Sequence, residues 1–456
     1  MSNEIQTRPK KEKAKGSMLF ACGNIASVGS YYMMGYITYA LTESAGMSAL
    51  MVGTILLISR IFDGISDIVA GFIIDKSHFR LGKARPFELF YIPLWITVIL
   101  CFSVPGNLSN IGKIIWVFLT YNLSQTVCYT FTNGIQSIRL KRTFAESMRV
   151  RVTMISTIVL TLGSVVISIS LPILISIFEN QPHGWTIIST IYAVPCMLLG
   201  MLEFFFLKEM DTDEDNANQT AKEKVSIMDT VKALVRNKYI VFVMLAYLVI
   251  AIYNSLGSMS TYFFKYIYGD VAVATIPNLI GCLAMVLLIL LPKAIEKLGT
   301  QKLCLLCFMA AAVSSVIKNF MPLNLVWITV WGMVVAVAIN FISSVKNIIL
   351  IECMDYGIYK TGVTVEGLYS AVGGMVDKIG MGIGSLAIGI IMEIGGYDET
   401  LAVQSESTLA SIRFGWAIFP AIIFFIGFVA MLGYGLSGKI GEIRNEMKQK
   451  GVSVNG

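Results

Sequence analysis

The chain has 456 residues, of which 55% are hydrophobic and only 14% are charged, and its mean hydropathy is +0.72. Soluble domains carry about 25% charged residues, so this composition excludes an ordinary soluble enzyme, a nucleic-acid-binding protein and a secreted disulfide scaffold. The net charge of +6 excludes nothing more, because in a membrane protein the positions of the charges matter more than their sum. We expect a polytopic all-α membrane protein whose partners include the lipid bilayer and exclude nucleic acid.

Apolar segments long enough to span a bilayer, about 20 residues each, recur in two sets of six. The first set is predicted at 17–42, 48–75, 87–105, 111–138, 152–178 and 184–207, and the second at 239–267, 271–292, 302–320, 324–351, 364–394 and 410–437. The predicted organisation is a tail (1–16), a six-helix bundle (17–207), a polar central loop (208–238), a second bundle (239–437) and a tail (438–456). Within the loop, 226–236 has the pattern of a short amphipathic surface helix.

Basic residues orient these predicted spans, because Lys and Arg concentrate in cytoplasmic loops. With the N-terminus inside, 28 of the 35 Lys and Arg residues fall in inside segments, four lie at outer positions and three lie within helices. The pattern predicts a protein of the plasma (inner) membrane with both termini in the cytoplasm. Two six-helix halves joined by a long loop are the arrangement of secondary transporters with a site between the halves.

The eight cysteines and two histidines do not suggest a metal centre. The cysteines lie singly in or near apolar segments, apart from Cys304 and Cys307, and both histidines, His78 and His183, fall in predicted loops. Isolated cysteines of this kind are typically small buried apolar residues. We expect no cofactor.

The second predicted span contains an unusual concentration of charge. A charge at the bilayer centre costs about 3 kcal/mol, so ionisable residues there are candidate functional residues. Arg60, Asp63 and Asp67 have the spacing i, i+3 and i+7 on one side of a helix, with Ser66 alongside. Two carboxylates on one face repel unless a cation lies between them or one is protonated. The spacing predicts a site for Na⁺ or H⁺, or else a structural ion-pair network with Arg60.

Three more ionisable residues lie within predicted spans of the second half. Asp377 and Lys378 are adjacent and point about 100° apart on a helix, so we do not expect them to pair with each other. Lys378 is expected to reach the carboxylates of the second span or a substrate, and the alternative for Asp377 is a structural partner in the second half. Lys346 lies within two turns of the predicted helix end at 351; it either binds an anionic group of a substrate or extends toward the membrane surface.

Two segments carry a resemblance to a known family. Residues 60–88 contain Asp63, Asp67, Gly71 and Asp75 followed by Gly82, Lys83, Arg85 and Pro86, and residues 352–381 contain Asp355, Tyr356, Tyr359, Thr361, Gly362, Glu366, Gly367 and Lys378. These segments resemble the glycoside–pentoside–hexuronide:cation symporters, a branch of the major facilitator superfamily, and especially its glucuronide-carrier-like members. The resemblance implies a fold with 12 transmembrane helices in two six-helix bundles. It also implies monomeric function and cation-coupled symport of a sugar, glycoside or hexuronide by alternating access.

The resemblance also implies roles for particular residues. The implied cation ligands, Na⁺ or H⁺ being the coupling cation, are Asp63, Ser66, Asp67 and Thr130. The implied substrate ligands are Asn133 and Lys378, to which we add Lys346, and Asn24 and Ser27 are the nearest polar residues where the family has a first-helix carboxylate. The remaining candidates, with structural or gating roles, are Arg60, Asp75, Lys83, Arg85, Asp355, Tyr356, Gly362 and Asp377.

The chain departs from the family pattern around the expected sugar site. The segment 133–136 lacks the usual proline, the first helix has no carboxylate at the expected place, and the fifth-helix arginine has no counterpart. Two alternative functions follow: transport of another small organic solute by the same fold, or a receptor or scaffold that has kept the fold without transport. No arrangement of residues predicts an enzyme.

Overall fold

The computed structural model describes residues 10–77, 79, 81–209, 237–361, 366–401 and 403–449. This described part is helical and contains no β-strand. Ten of its helical segments are long and apolar enough to cross a membrane. The chain divides into two compact units, Met1–Ala221 with Glu399–Ala402 and Lys222–Asp398 with Val403–Gly456. The predicted surface helix at 226–236 and Gly362 lie outside the described residues.

The first unit is built from nine α-helices within the described ranges. They are α1 (Lys10–Met34), α2 (Ile37–Ala45), α3 (Ala49–Lys76), α4 (Tyr91–Phe102), α5 (Asn110–Tyr121), α6 (Thr130–Gly134), α7 (Gln136–Thr143), α8 (Glu146–Phe178) and α9 (Gly184–Phe206). The 3₁₀ helix Arg85–Phe90 leads into α4, and the π-helical segment Asn122–Tyr129 joins α5 to α6. Ser48 and Ser109 begin α3 and α5 as N-caps, since their hydroxyls accept backbone N–H bonds.

Two predicted spans of this unit are interrupted in the structure. The span predicted at 17–42 is divided between α1 and α2 at Gly35 and Tyr36, where glycine weakens a helix. The span predicted at 111–138 runs from α5 to α7 with a π-helical segment in its middle and a break at Ile135. The count of 12 spans and the cytoplasmic position of both termini stay predictions.

The second unit contains ten α-helices in its described ranges. They are α10 (Ile240–Ser255), α11 (Gly257–Phe263), α12 (Thr275–Leu283), α13 (Leu291–Leu298), α14 (Thr300–Phe320), α15 (Leu325–Thr361), α16 (Glu366–Gly395), α17 (Glu406–Arg413), α18 (Phe419–Leu432) and α19 (Ile440–Gln449). Short π-helical segments follow α11 and α17, and 3₁₀ segments lie before and after α12.

Helix α15 is longer than predicted. The sequence predicts its end at 351, but it continues to Thr361 because the acidic side chains beyond that point have partners. Glu352 accepts hydrogen bonds from Thr300, Tyr434 and Ser437 at 2.8–3.0 Å. Asp355 forms an ion pair with Arg444 of α19 at 2.6 Å.

The distribution of polar and apolar side chains is that of a membrane protein. Large apolar residues are widely exposed, such as Phe72 at 66% and Val286 at 67%, and an apolar surface of this extent requires lipid or a partner. Charged residues such as Asp63 (2% exposed) and Arg139 (0%) lie inside the first unit. There α4 and α9 approach so closely that a Cβ added to Gly200 would lie 2.6 Å from Cδ2 of Tyr91.

Candidate functional site

Three regularly spaced hydrogen bonds join α3 to the neighbouring helix. That helix runs from α5 through the π-helical segment to α6. Donors and acceptors recur every four residues on both helices: Asn122 Nδ2 to Ser59 Oγ (2.8 Å), Thr126 Oγ1 to Asp63 Oδ1, and Thr130 Oγ1 to Asp67 Oδ1 (3.1 Å). We call this set the polar ladder. It brings both carboxylates of α3 against hydroxyls of the neighbouring helix.

The π-helical segment lies in the middle of the polar ladder. It contains Asn122, Ser124, Gln125 and Thr126, a polar run in an otherwise apolar helix. The turn of a π-helix is wider than that of an α-helix, which has 3.6 residues per turn. Residues four apart therefore lie closer to the same face of the helix. Single π-helical turns in membrane and soluble helices often mark functional sites.

Asp63 is buried, and both of its carboxylate oxygens have partners. Oδ2 lies 3.1 Å from Nη1 of Arg60, and Oδ1 accepts from Thr126. The Arg60 guanidinium also lies over the rings of Tyr31 and Tyr121, at 5.8 and 5.7 Å from their centroids. The negative charge of Asp63 is therefore compensated within its own helix.

Asp67 has a different environment, because its side chain is exposed. Thr130 donates to its Oδ1, and the Thr130 hydroxyl lies 3.3 Å from Ser66 Oγ. Ser66 in turn donates to the backbone carbonyl of Asp63 at 3.0 Å. The structure thus brings together three of the implied cation ligands, Ser66, Asp67 and Thr130. The carboxylate of the fourth, Asp63, contacts Arg60 and Thr126 instead. Carboxylate and hydroxyl oxygens are suitable ligands for a hard cation, and the carboxylate alone can take up a proton.

A cavity of about 310 Å³ opens beside these residues within the first unit. It is lined by Asp67, Ala70, Gly71, Ile74, Thr130, Asn133, Gly134 and Ile138. Its volume lies at the lower end of the range for small-ligand sites, about 300–1,000 Å³. Two implied cation ligands and the implied substrate ligand Asn133 therefore face one space.

Asn24 and Ser27 of α1 do not line this cavity. Asn24 Nδ2 donates to Ser156 Oγ at 2.5 Å, and the fully buried Ser27 hydroxyl lies 3.0 Å from that of Thr132. Both side chains are engaged in contacts between helices of the first unit. Their assignment as substrate ligands stays a prediction.

In the second unit, Lys346 and Asp377 form an ion pair. Nζ of Lys346 lies 2.9 Å from Oδ2 of Asp377 and 4.2 Å from the ring centroid of Tyr247, whose hydroxyl donates to Asn347. Of the two possibilities for Asp377, a partner in the second half is the one observed. The expectation that Lys346 lies within two turns of a helix end is wrong, because α15 continues to Thr361. Lys378 is half-buried on α16.

The remaining candidates lie near the ends of helices. The backbone N–H groups of Lys83 and Arg85 donate to Glu209, and Arg85 Nε donates to the Phe204 carbonyl at 2.9 Å. The ring of Tyr356 packs edge-on against Tyr239 at 4.8 Å. The side chain of Asp75 lies outside the described part of the structure.

Sequence reasoning missed several residues. Thr126 and Asn122 were recognisable as polar residues in an apolar span, but their spacing alone does not show that this face of the helix meets α3. Glu88 and Glu203 are acids within predicted spans and are fully buried in the structure. The sequence signal for both is an acidic residue within a predicted apolar span.

These features define a class of protein: a helical membrane protein with carboxylates inside a bundle and a ligand-sized cavity beside them, as in secondary transporters. A family model described as "MFS/sugar transport protein" matches residues 19–438. The chain therefore belongs to this major facilitator family, and its task is transport rather than catalysis. The predicted all-α membrane fold and the predicted relationship to sugar symporters are confirmed.

Individual relatives cover nearly the whole chain. The isoprimeverose transporter of Lactiplantibacillus pentosus is 30% identical over 446 residues, which cover 96% of this chain and 90% of that protein. The glucuronide carrier protein homolog of Escherichia coli (strain K12) is 26% identical over 454 residues, 94% of this chain and 95% of that protein. The crystal structure of the nucleoside transporter NupG has a TM-score of 0.64 at 15% identity, covering 92% of this chain and 99% of that one; this likeness concerns the fold.

Proposed function

We propose that the protein carries a sugar or glycoside across the membrane in symport with Na⁺ or H⁺, by alternating access. The observation that carries this proposal is the cavity shared by Asp67, Thr130 and Asn133. The names of the relatives, an isoprimeverose transporter and a glucuronide carrier homolog, support a sugar-containing substrate.

In this proposal, the coupling cation binds at Asp67 with the hydroxyls of Ser66 and Thr130. Asp63 is held by Arg60 and Thr126, so its charge is already compensated and it positions the site. A cation at Asp67 adds positive charge beside the cavity. If the cation-bound state binds substrate more tightly, substrate must also strengthen cation binding by the same factor, which is the thermodynamic basis of coupling.

The proposed substrate ligands are Asn133, Lys346 and Lys378. The Asn133 amide can donate to and accept from sugar hydroxyls, and it lines the same cavity as the cation ligands. Lys346 and Lys378 are the proposed contacts of the second unit. We further propose a functional monomer in the plasma (inner) membrane with cytoplasmic termini, as the distribution of Lys and Arg supports.

Uptake into proteoliposomes tests the proposal. Labelled isoprimeverose, glucuronides and simple pentoses are offered with an imposed Na⁺ gradient, an imposed H⁺ gradient, or neither. We expect concentrative uptake of at least one sugar with one of the two gradients, and its loss in Asp67→Asn. Gradient-driven uptake that survives in Asp67→Asn would contradict the cation site, and binding of sugars without any counterflow would contradict transport.

A matched pair of threonines provides the control. Thr130 donates to Asp67, whereas Thr120, in α5, donates to the backbone carbonyl of Trp116 at 2.7 Å. Thr130→Val should raise the cation concentration for half-maximal uptake about tenfold, which corresponds to about 1.4 kcal/mol. Thr120→Val should leave it unchanged. Equal effects of the two variants would show that the hydroxyl of Thr130 is not a ligand.

A further inference from the structure

A second group of ionisable residues is buried in the first unit, away from the polar ladder. Glu88 of the 3₁₀ helix, Arg139 of α7 and Glu203 of α9 are each 0% exposed. Arg139 Nε lies 2.5 Å from Glu88 Oε1 and 3.6 Å from Glu203 Oε1. The carboxylates of both glutamates thus lie close to the same nitrogen atom of Arg139. We call these three residues the Arg139 cluster.

A third carboxylate adjoins the cluster. Glu209 Oε1 lies 3.6 Å from Arg139 Nη1. The same carboxylate accepts backbone N–H bonds from Lys83, Ala84 and Arg85 at 2.7–2.9 Å. Glu209 therefore accepts three backbone hydrogen bonds in addition to its contact with Arg139.

The positive charge around the cluster is too small for three anions. Arg139 Nη2 is engaged by the Leu207 carbonyl, and Arg85, at the edge, directs Nε to the Phe204 carbonyl. Glu203 Oε2 accepts from Tyr91 at 3.2 Å. Oε2 of Glu88 is buried and has no hydrogen-bond partner among the described residues. The ionisable groups facing Glu88 and Glu203 are Cys22, Arg85, Tyr91, Arg139 and Glu209.

This balance leaves an excess negative charge if every carboxylate is ionised. A buried charge without compensation is strongly disfavoured, and the usual outcome is protonation. Glu209 has three N–H donors, whereas Glu88 and Glu203 both lie against the single guanidinium of Arg139. The proton is therefore expected on one of these two.

We propose that the Arg139 cluster binds one proton, shared between the carboxyl groups of Glu88 and Glu203, and so forms a protonation site separate from Asp63 and Asp67. Loss of this proton places an excess anion beside Glu209, whose carboxylate holds the backbone of residues 83–85. The anchoring of that loop then depends on pH. The site is independent of the coupling cation and of the transported solute.

Infrared spectroscopy of the purified full chain in lipid tests the proposal without any transport measurement. A protonated carboxyl group has a C=O stretching band that is absent from carboxylates and shifts in D₂O. We expect such a band in the wild-type protein at neutral pH. It should be lost in Glu88→Gln or in Glu203→Gln, and it should remain in the matched control Asp63→Asn/Asp67→Asn.

Three results would overturn the proposal: no protonated-carboxyl band in the wild-type protein, a band unchanged in both glutamine variants, or a band lost only in the α3 control. Thermal stability gives a second measurement if a glutamine variant assembles poorly. A carboxyl that binds its proton more tightly in the folded state contributes stability that is lost as pH rises. Wild-type stability that stays constant or increases between about pH 6 and about pH 9 would equally refute the site.

Discussion

The ion pair between Lys346 and Asp377 permits a quantitative test of whether the second unit uses these charges for structure or for substrate. The perturbation is Lys346→Met, which keeps the length of the side chain and removes its charge. Asp377 then remains inside the unit without its cation, and Tyr247 loses a cation 4.2 Å from its ring centroid. The companion variants are Asp377→Asn and the double variant.

The expected magnitude follows from the geometry. At 2.9 Å, Coulomb attraction is about 6 kcal/mol with an effective dielectric constant of 20, before the cost of desolvating both charges. Removing one partner of a fully buried pair costs about 3–5 kcal/mol. The side chains here are 14% and 33% exposed, so we expect about 3 kcal/mol for Lys346→Met, which includes about 1 kcal/mol from the cation–π contact.

The assay is a double-mutant cycle on the free energy of unfolding in mixed micelles. Asp377→Asn should cost about 2 kcal/mol and the double variant about 3 kcal/mol, because neutralising both partners leaves no isolated charge. The coupling energy is then about 2 kcal/mol, within the range for contacting residues. Additive single effects would refute the reasoning, since they would mean that the two charges do not interact in the folded protein.

The same variants separate structure from substrate binding. If the pair is only structural, sugar uptake should follow stability in all three variants. If Lys346 also binds substrate, as proposed, Lys346→Met and the double variant should show a raised KM that Asp377→Asn does not show. Uptake that follows stability in all three variants would remove Lys346 from the substrate site.

Two further predictions concern packing and the C-terminal helix. Gly200→Ala should lower the free energy of unfolding by about 1–3 kcal/mol because the added Cβ meets the Tyr91 ring. The control Gly332→Ala has open space around the added Cβ and should be neutral or stabilising. Equal thermal shifts of the two variants would contradict the close approach of α4 and α9. Arg444→Gln should make α19 accessible to limited proteolysis because it leaves the buried Asp355 without its cation. Glu446→Gln keeps an oxygen that can accept the exposed hydrogen bond from Tyr359 and should not; equal cleavage rates would contradict the ion pair.

Hydropathy predicted the positions of most helices because a bilayer requires long apolar segments whatever their packing. The contact of Ser66 and Asp67 with Thr130 was also predictable, because the resemblance supplied the residue of the second helix. The π-helical segment in the predicted fourth span was not predictable from hydropathy. Thr126 was missed because sequence spacing alone does not determine which face of that span meets α3.

Pairing across helices was the other limit. Lys346 and Asp377 lie on α15 and α16, and sequence spacing alone does not determine which faces of two helices meet. The same applies to Arg139, which appears in the sequence as one more basic residue near a loop. Its contacts with Glu88 and Glu203 depend on three helices meeting at one point.

The polar ladder has a consequence for insertions and deletions during divergence. Each of its three hydrogen bonds joins residues separated by 63 positions, so the segments 59–67 and 122–130 must change length together or not at all. Loops between them can gain or lose residues without effect on the contacts. A single-residue deletion within the π-helical segment would keep Asn122 at Ser59 yet turn Thr130 away from Asp67. We therefore expect deletions and insertions between Asn122 and Thr130 to be tolerated far less than those in the loops.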